Sequence, residues 1–199
     1  MLHPIAQQRK DIVLAREKWK DNQCQNIDTA NTYWLDESSV NCGMIRYYGR
    51  ALAGERVYDY VPDIRFERTS IIAALNNSGI VAPFVFKGTL NGKLFADYVK
   101  KELVPILKKG DNFILDNASV HKVKDAMKPL IDLGVNIIFL PAYSPDFNPI
   151  EMAWSKIKSL LRKDKPRTTE TLFESLKKSL NFITSTDAKN WIKHCGYAQ

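Results

Sequence analysis

Phe113-Ile114-Leu115-Asp116-Asn117 is an apolar run that ends on a carboxylate. It reads as a buried strand, and ligands of open α/β sheets bind just beyond the carboxyl ends of such strands. A carboxylate at that edge is costly unless it is paired, protonated or metal-bound. Downstream, Ser144-Pro145-Asp146-Phe147-Asn148-Pro149-Ile150-Glu151 is a proline-rich turn that opens a helix and places a second acid in its first turn. Between Asp116 and Glu151 lie 34 residues, 117–150. Upstream, the apolar run Tyr33-Trp34-Leu35 ends on a third acid, Asp36. Three acids at the edges of buried elements suggest a site for a hard divalent cation. Mg²⁺ prefers oxygen ligands and is usually held by one or two carboxylates together with substrate phosphates.

Outward from these stretches the chain alternates strands and helices. The spacing predicts a helix over 5–21, with Ile5, Ile12 and Trp19 recurring every seven residues and Ala15 on the same side, then a polar connector to Ala30. A strand is expected over 31–37. Met44–Tyr48 and Arg56–Val61 read as a short hairpin around Gly49–Gly54. Thr69–Leu75 and Ile80–Phe86 read as a second hairpin, turned at Asn76-Asn77-Ser78-Gly79. Helix 91–108, in which Pro105 predicts a kink or an early end, leads to strand 113–116. Helix 119–133 stops at Gly134, and strand Val135–Leu140 follows. Three helices close the chain, over 149–163, 169–182 and 186–195. This order predicts an α/β fold: a mixed sheet with helices on both faces, as in ribonuclease-H-like domains, with extra C-terminal helices. The expected division is an N-terminal helix and linker over 1–30 and a ribonuclease-H-like domain over 31–199.

The chain has 199 residues, with 29 Lys and Arg against 22 Asp and Glu, a net charge of +7. A basic balance favours an anionic partner, most commonly nucleic acid. Cys24, Cys42 and Cys195 are odd in number and widely spaced, which argues against a zinc module or a disulfide framework and suits a reducing cytoplasm. No signal peptide or membrane span is visible.

Each candidate also has a plain structural role to weigh. Asp116 could cap the helix that follows it. Asp36 and Glu37 alternate across a strand, so only one of them can face Asp116, and alternation alone does not say which. Asn148-Pro149-Ile150-Glu151 resembles a helix start with Asn148 as N-cap and Glu151 as the acidic half of a capping box. His121 could contact a phosphate or a water on the cut strand, or be a polar residue at a helix start. Asn117 could orient a metal's water or simply make a turn. Lys156, Lys158, Arg162, Lys163, Lys165 and Arg167 look like a track for a phosphate backbone, against the ordinary reading of a solvated helix face.

Together these segments resemble the DDE transposases of the mariner-like superfamily, in its bacterial insertion-sequence branch. Leu35-Asp36-Glu37-Ser38 is similar to the first acidic motif. Leu115-Asp116-Asn117-Ala118-Ser119-Val120-His121-Lys122 is similar to the second. Leu140 through Glu151, followed by Trp154 and Lys158, is similar to the third. Gly49-Arg50-Ala51 and His194-Cys195-Gly196-Tyr197 also resemble the family, and the likeness covers roughly residues 10–197.

The resemblance implies a catalytic triad of Asp36, Asp116 and Glu151 that binds two Mg²⁺ or Mn²⁺ ions. It implies supporting roles for Asn117, His121 and Asn148, and DNA strand cleavage and strand transfer in cut-and-paste transposition. Its expected partners are element-end and target DNA, a second copy in a homodimer, and an upstream helix-turn-helix part not found in this chain. The expected location is the bacterial cytoplasm, at the nucleoid. Two other readings stay open, a host nuclease or resolvase of the same fold and an inactive DNA-binding relic.

Overall fold

The structure is a computed structural model that describes residues 5–63 and 66–197. Its centre is a five-stranded mixed sheet built from β1 (Thr32–Val40), β2 (Thr69–Asn76), β3 (Gly79–Lys87), β4 (Asn112–Leu115) and β5 (Asn136–Phe139). The strand order is β3-β2-β1-β4-β5. The first three strands pair antiparallel, while β4 pairs parallel to β1 and β5 parallel to β4. Strand alternation divides the apolar residues between two faces. Trp34, Ile71, Ala73, Leu75 and Ile114 point to one face, and Leu35, Ile72, Ala74, Phe113 and Leu115 to the other.

Helices cover both faces. Helix α2 (Gly92–Tyr98) and helix α3 (Lys124–Leu133) bury Phe95, Ala96, Ala126 and Leu130 against the second face. Helices α4 (Ile150–Asp164), α5 (Thr169–Asn181) and α6 (Ser185–His194) cover the first. The period predicted for the helix over 149–163 holds: Ile150, Trp154, Ile157 and Leu161 are all buried. Gly134 ends α3 in the left-handed conformation at φ 81°, the expected stop.

Several expected elements differ. The first helix is broken: Ile5–Gln8 is a tight 3₁₀ turn, only α1 (Lys10–Lys18) is α-helical, and Trp19–Gln23 widens into a π turn. Ile5 is 84% exposed while Ile12 and Trp19 are buried, and Ala15 is exposed too, so the seven-residue stripe is not a continuous core face. The helix expected to 108 leaves α geometry at Val99, and Pro105 follows in a turn. Residues 119–122 form a 3₁₀ turn before α3 begins.

The hairpin expected between Met44 and Val61 does not form; its two pieces make no regular strand. These pieces join neither edge strand of the sheet, β3 or β5, and an isolated two-stranded ribbon is marginal in water. The segment leaves Tyr48 and Tyr60 more than nine-tenths exposed.

The second hairpin forms as expected, with a bulge between Ile72 and Ala74 where Ala82 has φ 48°. Its Gly79 has φ 126°, a conformation that L side chains rarely adopt, and an added Cβ would lie a tight 3.2 Å from the Ile183 carbonyl oxygen. Gly79→Ala is therefore expected to lower the unfolding free energy by about 1–3 kcal/mol, measured by urea denaturation. An unchanged midpoint would show that the α5–α6 junction yields.

Candidate active site

The parallel pairing of β1 with β4 runs Thr32↔Asn112, Tyr33↔Phe113 and Trp34↔Ile114. Continued two residues, this register brings Asp36 and Asp116 to the same end of the sheet. Asp36 lies within β1, and β4 ends at Leu115, one residue before the end expected from sequence, so Asp116 is the first residue past it. Glu151 is the second residue of α4. All three acids line one cavity of about 420 Å³. Its wall includes Asn117, Ala118, Lys122, Leu140 and the segment Pro141–Pro145.

The strand alternation left open which of Asp36 and Glu37 faces the site. Asp36 turns toward α4, where Trp154 Nε1 donates to its Oδ2 at 3.1 Å. Glu37 takes the opposite face and meets His121: its Oε2 lies 3.1 Å from Nε2, an ion pair outside hydrogen-bond geometry. The other ring nitrogen, Nδ1, lies 2.6 Å from Asp116 Oδ1. His121 is fully buried, so the expected contact with a phosphate or strand water is not available to it. Its role is to bridge two acids. Glu37 as that bridge's second end, and Trp154 as a donor to Asp36, were not foreseen; an acid alternating with Asp36 opposite a histidine was the available signal.

The charges are arranged unevenly. Burial pushes the Asp36 carboxyl well above its ordinary range, and Glu151, Glu37 and Asp116 push it further. Burial also raises Glu151, aided by Asp116 and Glu37 and opposed by Lys158. Its side chain keeps contact with solvent at the cavity mouth. Asp116 goes the other way. Burial would raise it, but the contact with His121, the Ala118 amide at 3.0 Å and nearby Lys122 hold it below the usual carboxylate range. Burial opposes charge on His121, yet Asp116 and Glu37 together raise its pKa to about 9.

The Asn148 capping box does not form. The residue capping α4 is Pro149, with no side-chain cap. Asn148 ends a 3₁₀ turn in extended geometry and donates from Nδ2 to the Leu35 carbonyl at 3.3 Å, fastening the start of α4 to β1 beside Asp36. Among the described residues the Glu151 carboxylate makes no hydrogen bond, so the helix start does not use it.

These oxygens fit a hard divalent cation. Asp36 and Glu151 both gain from a positive charge, and the buried Asn148 Oδ1 lacks a donor that a hydrated ion would supply. No group of three or more His, Cys, Asp or Glu among the described residues is gathered closely enough to hold an ion unaided. A cation there would need water or substrate oxygens besides these side chains.

Residues 31–173 match the sequence family described as DDE superfamily endonuclease. The chain belongs to the DDE superfamily endonucleases. No curated protein matches it. Among solved structures, the Mos1 transposase paired-end complex with left transposon end superposes with a TM-score of 0.69 at 14% identity, over 93% of this chain and 56% of that one. The Mos1 strand transfer complex gives 0.68 at 18% identity, over 94% and 56%. The catalytic domain of Mos1 mariner transposase gives 0.65 at 14% identity, over 93% and 84%. This likeness establishes the ribonuclease-H-like fold. The chain spans little more than half the length of the full Mos1 chains.

The basic stretch of this DDE domain divides by face. Lys156 pairs with Asp187 at 2.7 Å, Lys165 pairs with Asp59, and Arg167 Nη1 donates to the Cys42 carbonyl at 2.8 Å. Those three are engaged within the molecule, so the six residues do not form one track. Lys163 lies beside the Tyr58–Val61 segment. Lys158 and Arg162 instead line a groove with Ser39, Asn41 and Arg68, a cation the sequence reading did not single out. Asn117 is exposed on the cavity wall.

The raised pKa of His121 has a testable consequence. A histidine held at about 9 when folded, against about 6.5 unfolded, adds stability that is complete below the unfolded value. That stability is lost as pH rises through the folded value. The unfolding free energy of metal-free wild type minus that of His121→Gln should therefore shrink from pH 6.5 to pH 9 and above. A flat difference in urea titrations would contradict the Asp116–His121–Glu37 bridge.

Proposed function

We propose that the chain is the catalytic part of a transposase that cuts DNA strands and joins them to a target. The observation that carries this reading is the convergence of Asp36, Asp116 and Glu151, from three separate elements, on one cavity of a DDE domain. The Mos1 structures add support, being complexes of transposon ends and of strand transfer, some with Mg and some with Mn. The DNA ends, a homodimer, an upstream DNA-binding part, membership of the bacterial insertion-sequence branch and a place at the bacterial nucleoid belong to the same proposal. Among the described residues no helix is long and apolar enough to cross a membrane. No specific feature favours a host nuclease or an inactive relic.

In this reading Asp36, Asp116 and Glu151 would hold two Mg²⁺ or Mn²⁺ ions, which would supply activation of a water and charge neutralisation at the leaving 3′-oxygen of the cut strand. His121, tied to Glu37, fixes Asp116 as an ionised ligand. Trp154 fixes Asp36, and Asn148 fixes the position from which Glu151 enters. No serine, tyrosine or cysteine nucleophile is required. On α4, Glu151, Lys158 and Arg162 lie about two and three turns apart on one side. The phosphates flanking the cut would then follow that side into the groove with Arg68.

Asp116→Asn and Glu151→Gln are expected to lower Mn²⁺- or Mg²⁺-dependent plasmid nicking by about two orders of magnitude or more, since each removes a charge from the metal set. Asp36→Asn should abolish nicking while leaving the metal-free melting temperature unchanged or raised, because its ionised form is disfavoured in the fold. Mn²⁺ should raise the melting temperature of wild type and not of Asp36→Asn. Nicking that survives chelation, or is equal in wild type and Asp116→Asn, would remove this reading. For the groove, Arg162→Ala should weaken binding to random duplex and reduce the salt slope of affinity by about one. An unchanged slope would place the strand elsewhere.

A further inference from the structure

Part of the wall of the acidic cavity is held from outside residues 31–173, by side chains of the N-terminal segment. We infer that Arg16, on α1, is a positioning residue that fastens the wall segment Tyr143–Phe147 and keeps the Asp146 carboxylate out of the metal-binding set. This rests on the DNA-cutting reading above. Arg16 Nη1 donates to Ser144 Oγ at 2.7 Å, to Asp146 Oδ1 at 2.9 Å and to the Tyr143 carbonyl at 3.4 Å. Its Nη2 donates to Asp146 Oδ2 at 2.7 Å, completing a two-pronged pair. The guanidinium carbon sits 4.6 Å from the centre of the Phe147 ring. The same N-terminal segment adds two further ties. Gln7 Nε2 donates to the Tyr143 carbonyl at 2.6 Å, and Trp19 stacks on Phe147 at 6.4 Å between centroids.

A surface ion pair would carry little weight. This one differs, because the Arg16 side chain is only 15% exposed and meets a planar carboxylate with both prongs. The segment it holds also requires holding. Tyr143 has φ 55°, a left-handed conformation that a bulky residue keeps only where its surroundings impose it. Tyr143, Ser144 and Pro145 line the cavity of the three acids. The chain then passes through Phe147 and Asn148, which is bonded to β1, into the first turn of α4 and Glu151. A shift of the wall is thus passed to the third acid.

Asp146 is the second part of the inference. It lines the neighbouring cavity together with Glu151. It does not line the cavity of the three acids, but freed from Arg16 it could turn toward Glu151 and compete as a fourth carboxylate for a cation held there. Paired, its charge is neutralised. Arg16 touches none of the reacting groups, and it lies upstream of residues 31–173, the part that matches the family.

The test uses the full chain with Arg16→Gln, Arg16→Lys and the double variant Arg16→Gln/Asp146→Asn. The amides of Phe147 and Asn148, bonded to Ser144 and Pro145, should exchange with deuterium about tenfold faster or more in Arg16→Gln. Those of β1 and β4 should be unchanged. Arg16→Lys keeps the charge without the fork and should fall between. Mn²⁺ titration followed by electron paramagnetic resonance should give an altered binding curve for Arg16→Gln. Removing the freed acid in the double variant should restore the wild-type curve, a rescue that a merely loosened fold would not give. Nicking by Arg16→Gln at saturating DNA should fall about tenfold with little change in KM. Unchanged exchange at Phe147 and Asn148, or a wild-type Mn²⁺ curve in Arg16→Gln, overturns the inference. If wild type fails to nick DNA while exchange and Mn²⁺ binding change as stated, the clamp stands and the DNA-cutting reading falls.

Discussion

The parallel pairing of β1 with β4 is the constraint on which the site depends. Three register pairs align strands that are some eighty residues apart in sequence, Thr32 opposite Asn112 through Trp34 opposite Ile114. A one-residue slip would turn every side chain of one strand to the opposite face. If β1 slipped, Leu35 would face the layer of Ile114, and Trp34 and Asp36 would face the α2–α3 side. The apolar packing that fixes the register is therefore also what brings two carboxylates to one end of one face. The third arrives from α4, whose buried stripe of Ile150, Trp154, Ile157 and Leu161 sets its rotation against that face.

Gathering acids in this way costs stability, and the fold offsets only part of the cost. His121 stabilises Asp116 and engages Glu37, so one positive ring serves two acids in a fully buried position. Among the described residues Asp36 has no such cationic partner. It accepts from the neutral indole of Trp154 and from the Glu37 backbone, and its charged form is disfavoured by burial and by three acidic neighbours. A site tuned for stability alone would place another cation there. The uncompensated charge instead makes the cavity receptive to an external cation, a local loss of stability of the kind found at functional sites.

Much of this was legible in the sequence where one pattern dominated. The turn at Asn76–Gly79, the stop at Gly134, the core stripe of α4 and the acids at strand ends are each set by nearby residues. Elsewhere the outcome depended on distant partners. Asn148 has every local mark of an N-cap, yet a carbonyl of β1 takes its side-chain amide. Met44–Tyr48 is strand-like in composition, but it pairs with neither edge strand of the sheet. His121 looked like a polar residue at a helix start. Its burial follows from packing against Phe95, with ring centroids 5.0 Å apart, which its own neighbours in sequence do not reveal. The basic stretch after Glu151 read as one track because charge was counted along the chain, whereas helix geometry divides it among faces.

Helix α4 shows how core and site become inseparable. Trp154 is 2% exposed and packs with the central cluster, so its ring position is determined by apolar contacts. Its Nε1 nevertheless points out of that cluster to Asp36. The indole thus transmits the precision of a close-packed interior to a carboxylate at the cavity, which no loop residue could do as firmly. Three residues before Trp154, Glu151 enters the same cavity, and Lys158 and Arg162 follow on the same side of α4, while Lys156 turns away to pair with Asp187. The apolar stripe that sets the rotation of α4 thus also sets the direction of its acid and of these two cations. The helix needs both faces at once, since rotating it to improve either would misplace the other.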